Sequence, residues 1–449
     1  MTPSILEEKL ERLRVRGVAD PLRERIRTLV VDGAPAALAR LSPPRLARDW
    51  GVRPLAVLDA FLAGTREGLF ELEWNLRCPA CTGATAHAGH LDELKGHVSC
   101  PVCAVDGEAT FDRSVEIVWH PHGAVRDVSG ADPLEVFMAQ ARPEPVARLV
   151  VAPRGLAEVQ VRLQAGNYHL LVPGTMMVRG LGVAPADAAS AAAEPALFDV
   201  HFDGTLLARG DWQRPEGDYR LRVHNDSEAE RVFLLTRVAD APFVSGADLA
   251  AHQGFRDLFS TELIRTDESF GIRSQAFVFT DLKGSTALYE RIGDSQAYAL
   301  VRDHFRVMLE QVRVHGGSVV KTIGDAVMAT FLTGEAGVAF ALDTLAAFDA
   351  FNETRAHPDD VIVKIGVHKG PCIAVTLNDR IDYFGRTVNM AARIQGKSKG
   401  GDVVLSLPVL AERGVRELLE TVPWAQEPFS TELKGIEGQQ RLVRLVPAE

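Results

Sequence analysis

"GGSVVKTIGDAVMATF" runs from Gly316 to Phe331. The apolar runs "SVV" and "AVMATF" flank a Gly-Asp pair. That pattern predicts two short strands joined by a tight turn, with Gly324-Asp325 at the tip. Lys321 precedes Asp325 by four residues, and the plainest reading of the two is a local ion pair on a solvated hairpin. An upstream stretch supplies another. "AFVFTD" (Ala276–Asp281) is an apolar strand that ends in a carboxylate. "LKGST" then leads into a helical pattern from Ala287 to about His315. The backbone N–H groups of Gly284, Ser285 and Thr286 would open that helix at the positive end of its dipole, where an anion binds. With strand and hairpin side by side, Asp281 and Asp325 meet, and two carboxylates can bridge two Mg²⁺ ions for phosphoryl chemistry.

A third stretch, "VIVKIGVHKGPCIAVTLNDRIDYFGRTVNMAARIQGKSKGGDVVLS" (Val361–Ser406), reads as strand, strand, turn, helix, strand. On its helix Asn389 and Arg393 are spaced i, i+4 and share one face. Together they suit a sugar oxygen and a phosphate oxygen. The competing reading is a surface pair at a helix end. Gly396-Lys397-Ser398 is not a phosphate loop, because the required earlier glycine is Ala391 and no strand precedes it.

Taken together, "FVFTDLKGST", "GGSVVKTIGDAVMATF", "VKIGVHKGP", "DYFGRTVNMAARI" and "ELKG" resemble the catalytic domain of class III adenylate cyclases, in order and with similar spacing. The resemblance covers residues 272–449. It implies a ferredoxin-like βαββαβ core and a head-to-tail homodimer with active sites shared at the interface. It makes Asp281, Asp325 and the Leu282 carbonyl the ligands of two Mg²⁺ or Mn²⁺ ions. Lys321 and Asp382 match the pair that reads the purine. Adenine offers N1 as acceptor and the 6-amino group as donor, which a lysine and a carboxylate satisfy, whereas guanine inverts that edge. Hence ATP, not GTP, is the expected substrate, with 3′,5′-cyclic AMP and pyrophosphate as products. Asn389 and Arg393 match the groups that position the ribose and stabilise charge at the α-phosphate, and Lys434 matches the lysine on the terminal phosphates. Lys283 stands where the family often has an apolar or small residue, and the arm before Asp382 is short.

Ahead of this region, "CPACTGATAHAGHLDELKGHVSCPVC" places Cys78, Cys81, Cys100 and Cys103 as two C-x-x-C pairs separated by eighteen residues. Two such turns close a tetrahedral shell, so one structural Zn²⁺ is expected. His87, His90 and His97 then read as loop residues. Cys372 stands outside that set, as a buried core thiol. Residues 1–75 read as helical and winged-helix-like, residues 76–108 as a zinc ribbon, and residues 109–247 as an antiparallel β sandwich or barrel, from short period-2 runs between Gly, Pro, Asn and Asp. His120 and His122 flank a proline there and read as surface histidines. Residues 248–271 form a helical linker. The whole is an α+β multidomain chain. The N-terminal two-thirds resembles a domain of unknown function found ahead of some bacterial cyclase domains, which implies a regulatory role toward an unknown ligand or protein.

The composition bounds the alternatives. The 449 residues carry a net charge of −11, with 46% hydrophobic and 24% charged residues. That balance argues against a general nucleic-acid binder. The second N-terminal helix, Pro54 to Thr65, is nearly all apolar or acidic and so ill suited to read base edges. The charged N-terminus has no signal-peptide core and no stretch is apolar enough for a membrane span, so a cytoplasmic location is expected. The reading from a different class is a DNA- or protein-binding regulator that keeps a degenerate cyclase domain for dimerisation.

Overall fold

The computed structural model describes residues 3–448 apart from 79–82, 101–104, 133–134, 137–138, 140–143, 174, 176, 186–194, 209–211, 239–241 and 355–360. The chain forms two compact units. One comprises residues 1–89, 97–109 and 113–244, the other residues 90–96, 110–112 and 245–449.

In the first unit five helices come first: α1 (Pro3–Val15), α2 (Asp20–Asp32), α3 (Pro35–Leu38), α4 (Pro43–Trp50) and α5 (Pro54–Arg66). On α1 the spacing of Leu6, Leu10 and Leu13 aligns them on one face, and all three are buried. Strands β1 (Phe70–Arg77), β2 (Ala84–Ala88), β3 (His97–Cys100), β4 (Val105–Glu108) and β5 (Val115–Pro121) follow. β1 pairs antiparallel with both β2 and β5, and β3 pairs with β4. Cys78 directly follows β1, and Cys100 is the last residue of β3. Cys78 and Cys100 are both buried. Cys81 and Cys103 lie outside the described residues.

The period-2 runs become β6 (Glu144–Val151), β7 (Gly155–Leu163), β8 (Gly166–Val172), β9 (Met177–Ala184), β10 (Ala196–Phe202), β11 (Leu206–Ala208), β12 (Gln213–Pro215), β13 (Gly217–Asn225) and β14 (Arg231–Val238). They form two sheets, ordered β11-β10-β13-β7 and β12-β9-β8-β14-β6. Alternate residues such as Phe198, Val200, Phe202, Leu221 and Val223 fill one common core. Two pairs, β10 with β13 and β12 with β9, run parallel, unlike the antiparallel expectation. Alternation specifies which face is buried and leaves strand direction open.

The short strand β15 (Val244–Ser245) leads into the second unit, where α6 (Gly246–Ala250) and α7 (Gln253–Leu258) follow. Then come β16 (Phe270–Leu282), α8 (Ser285–Ile292), α9 (Asp294–Val314), β17 (Ser318–Ile323), β18 (Ala326–Phe331), α10 (Gly334–Glu353), β19 (Val363–Leu377), β20 (Arg380–Phe384), α11 (Arg386–Gln395), β21 (Asp402–Ser406), α12 (Leu407–Leu410), α13 (Arg413–Thr421), β22 (Trp424–Leu433) and β23 (Ile436–Pro447). The sheet order is β17-β18-β16-β19-β21-β23-β22, with β20 paired to β19. Its first four strands, with α8–α9 and α10 as crossovers, have the βαββαβ arrangement. Val278, Met308, Val312, Val338, Ala341 and Val367 meet in the main core of this sheet and its helices. The helix after Asp281 is broken at Gly293 into α8 and α9, where the sequence suggested one run.

Two short stretches from earlier in the chain complete this unit. Glu262 accepts from His90 Nδ1 at 2.8 Å and from the Leu91 backbone N–H at 2.9 Å, while Glu268 accepts from the Gly96 N–H at 2.9 Å. Leu91 and Leu94 are buried. Phe111 stacks on Phe270 with ring centroids 5.3 Å apart, and its N–H donates to the Gly271 carbonyl. The Glu262 carboxylate raises the pKa of His90, one of the residues read from sequence as simple loop.

Candidate active site

β16 is flanked by β18 on one side and β19 on the other. Its residues Ala276 to Thr280 are buried, which explains the unbroken apolar run. Asp281 follows at the strand end and is half-buried. Burial raises its pKa, and the carboxylate of Asp325 raises it further. Lys364, its register partner on β19, and the nearby Gln395 side chain oppose that rise. Asp325 sits in the turn between β17 and β18, where Gly324 takes the left-handed backbone (φ +64°) that closes the hairpin. One carboxylate oxygen of Asp325, Oδ2, is buried without a hydrogen-bond partner. Two neighbouring carboxylates and an orphaned oxygen make a local negative potential suited to a cation. Leu282, buried, ends β16 beside them. Gly284 opens α8 with φ +69°, and no side chain caps that first turn, in which Ser285 and Thr286 follow. The side chain of Thr286 lies outside the described residues.

Lys321 Nζ makes an ion pair at 2.5 Å with Asp382 Oδ2, and Asp382 is almost wholly buried. Asp382 Oδ1 also accepts from the Tyr383 N–H at 2.7 Å. The structure thus joins two predicted residues from β17 and β20, elements that are not neighbours in the sheet.

Asn389 and Arg393 are exposed on one face of α11, while Thr387, Ala391 and Ile394 of the same helix are buried. Gly366 on β19 lets the helix approach closely, since a Cβ there would lie 2.3 Å from the Gln395 nitrogen. Beyond the helix Asp402 fixes the chain. It accepts from Ser398 Oγ, the Lys399 and Gly400 N–H groups and Arg444 Nε. Lys434 is exposed in the β22–β23 turn. No hydrogen bond among the described residues links it to the carboxylates.

Sequence reasoning missed several neighbours. Lys364 and Gln395 act on Asp281. The Tyr289 hydroxyl is buried near both carboxylates, which raise its pKa after burial does. His304 is buried against Phe305 and Phe348, and burial lowers its pKa to about 4. None of these carried a motif. Their relevance comes only from cross-strand register and helix packing.

In the first unit, Asp199, His201 and His224 bring ligand atoms within 4.8 Å of one another. The two imidazoles, however, stack in parallel with centroids 4.0 Å apart. Their in-plane lone pairs do not converge, and carboxylates of Asp226 and Asp199 already hold them.

Comparison with known proteins bears on this geometry. Residues 272–417 match the family described as the adenylate and guanylate cyclase catalytic domain, and residues 6–142 match a family of unknown function (DUF5939). An adenylate cyclase of Lachancea kluyveri is 31% identical over 194 residues, covering 39% of this chain and 10% of that protein. Adenylate cyclase 2 of Rhizobium meliloti (strain 1021) is 30% identical over 152 residues, covering 31% of this chain and 42% of that protein. The chain thus spans less than half the length of either relative. Among solved structures, the adenylyl cyclase CyaB from P. aeruginosa aligns with a TM-score of 0.36 and 18% identity, covering 40% of this chain and 97% of that one. The stretch that carries Asp281, Lys321, Asp325, Asp382, Asn389 and Arg393 belongs to the adenylate and guanylate cyclase catalytic domain family.

Proposed function

We propose that the chain is an adenylate cyclase that converts ATP to 3′,5′-cyclic AMP and pyrophosphate. The observation that carries this reading is the electrostatic proximity of Asp281 to Asp325, whose Oδ2 is buried without a hydrogen-bond partner, inside a matched cyclase domain. Asp281, Asp325 and the Leu282 carbonyl would hold two Mg²⁺ or Mn²⁺ ions. Bound there, the ions would supply Lewis acidity at the ribose 3′-hydroxyl and the phosphate oxygens. The chain's own groups do the rest. Lys321 donates to adenine N1 and Asp382 accepts from the 6-amino group, so the pair selects ATP. The uncapped N–H groups of Gly284, Ser285 and Thr286 take phosphate oxygens, and Lys434 neutralises the terminal phosphates. Asn389 orients the ribose. Arg393 donates to the α-phosphate oxygens as charge builds on them in the transition state.

The exposure of Asn389, Arg393 and Lys434 in a single chain is what a homodimer with shared sites requires. In that assembly the metal ligands of one chain face the base-reading and transition-state groups of the other. We assign Cys78, Cys81, Cys100 and Cys103 to one structural Zn²⁺, supported by the spacing of the two C-x-x-C pairs and by the burial of Cys78 and Cys100 at the ends of paired strands. The N-terminal region takes a regulatory role. No helix among the described residues is long and apolar enough to cross a membrane.

The test is cyclic nucleotide formation by the full chain with Mg²⁺ or Mn²⁺, offered ATP or GTP. Cyclic AMP from ATP in large excess over cyclic GMP is expected. No product from either nucleotide with either metal would leave the domain as a dimerisation module. Zinc content near one ion per chain, lost in Cys78→Ser, tests the cysteine assignment.

A further inference from the structure

The helix that precedes the catalytic strands holds the backbone beside both members of the Lys321–Asp382 pair. β17 contains a register slip between Val319 and Lys321, so that Val319 faces Ala329 but Lys321 faces Met328. A bulge of this kind re-aims the side chain that follows it and takes an N–H out of the ladder. β17 is the edge strand of its sheet, and the N–H of Val319, the residue before the unpaired Val320, donates to Gln253 Oε1 on α7 at 2.8 Å. Gln253 is itself buried. Its carboxamide is oriented by donation from Nε2 to Asp257 Oδ1 at 2.8 Å, and Asp257 is held in turn by Arg313 at 2.8 Å. Three residues along the same helix, Arg256 Nη1 donates to the Ile381 carbonyl at 2.9 Å, at the peptide that joins Ile381 to Asp382. Its Nε donates to the Ala250 carbonyl at 2.7 Å, and its guanidinium lies over the Tyr383 ring, 5.7 Å from the centroid. An open pocket of about 350 Å³ lies beside these bonds, among Phe255, Phe259, Val320 and Arg380.

We propose that Gln253 and Arg256 are specificity-positioning residues, which set the placement of Lys321 and Asp382 and thereby the preference for adenine over guanine. The inference rests on the reading of that pair given under the proposed function. Both nucleobases present a donor and an acceptor on the edge in question, in opposite order. Discrimination therefore depends on where the ammonium and the carboxylate stand, and a pair free to shift loses it. Gln253 fixes the bulge that aims Lys321, and Arg256 fixes the peptide that carries Asp382.

The experiment uses the full chain with Gln253→Met, which keeps the volume and removes the acceptor, and Arg256→Lys, which cannot make both carbonyl bonds at once. kcat and KM are measured for ATP and GTP, beside Lys321→Ala as a reference. The expected result is a KM for ATP raised about five- to tenfold, a kcat within about twofold, and an ATP-to-GTP ratio of kcat/KM narrowed by a similar factor. An unchanged ratio in both variants, whatever happens to rate or melting temperature, would overturn the proposal. Where Lys321→Ala also leaves the ratio unchanged, the nucleobase reading itself fails and the inference falls with it. Where Lys321→Ala relaxes the ratio and the helix variants do not, only the positioning role is refuted.

Discussion

Lys321 Nζ lies 2.5 Å from Asp382 Oδ2, a residue 61 positions away, and makes no ion pair with Asp325, four positions away on the same hairpin. The hairpin therefore separates its two charges. The lysine is committed to β20 on one side, and the carboxylate at the tip is left with an oxygen to spare.

That separation makes complementation a direct test of shared sites. Asp325→Asn and Lys321→Ala chains should each be poorly active alone, at least about tenfold below the wild type at subsaturating ATP. Mixed with subunit exchange, they should recover about a quarter of wild-type activity, since half the dimers are mixed and each has one intact site. No recovery despite exchange, followed by native mass spectrometry, would place both residues in one site.

Asp281→Asn and Asp325→Asn should each lower kcat by at least about 10²-fold. Without divalent metal the same variants should melt no lower than the wild type, and Asp281→Asn should melt higher. The folded-state pKa of Asp281 is raised, so its carboxylate favours folding only below the unfolded pKa. The benefit is lost as pH rises through the folded value, and at neutral pH the ionised group is a burden. Thermal melting in chelator, with and without Mg²⁺, reads both effects.

Arg393→Lys keeps the charge and loses the planar two-pronged donor. Its kcat should fall about 10²-fold with KM for ATP changed less than about threefold, because charge on the α-phosphate oxygens builds in the transition state. A rise in KM at unchanged kcat would assign Arg393 to ground-state binding instead.

His368 should make the second unit acid-sensitive. Its Nδ1 lies 2.7 Å from Ser406 Oγ in a buried setting, and burial, aided by the Arg386 charge, lowers its pKa to about 4. A histidine neutral in the folded chain but near 6.5 when unfolded leaves stability intact above pH 6.5. Stability then falls as pH drops toward 4, by on the order of 3 kcal/mol at most. Urea melts across that window should show the slope in wild type and a shallower one in His368→Asn.

The sequence exposed those parts of the site that depend on local pattern. An apolar run that stops at a carboxylate gave Asp281, a Gly-Asp turn between apolar runs gave Asp325, and helical spacing put Asn389 beside Arg393. The unread parts depend on register between distant strands. Nothing local pairs Asp281 with Lys364, or Gln253 with the Val319 N–H, because the slip in β17 is invisible in "SVVK". The parallel β10–β13 pair was missed for a related reason, since alternation is the same in either direction.

The grip of Glu262 and Glu268 on the segment from His90 to Gly96, with Phe111 against Phe270, means that the second unit is stitched from three separate stretches of chain. Its outline in space is not its outline along the sequence. A fragment starting at residue 265 or 272 would lack Leu91, Leu94 and Phe111, and would bare the apolar surface they cover. Reduced activity in such a fragment would follow from that wound alone, without any activator having been removed. The same stitching places a segment from between the two cysteine pairs on the connector that leads into β16, so a cut or insertion in residues 90–96 would be felt as a loss of packing in a domain that begins more than a hundred residues later.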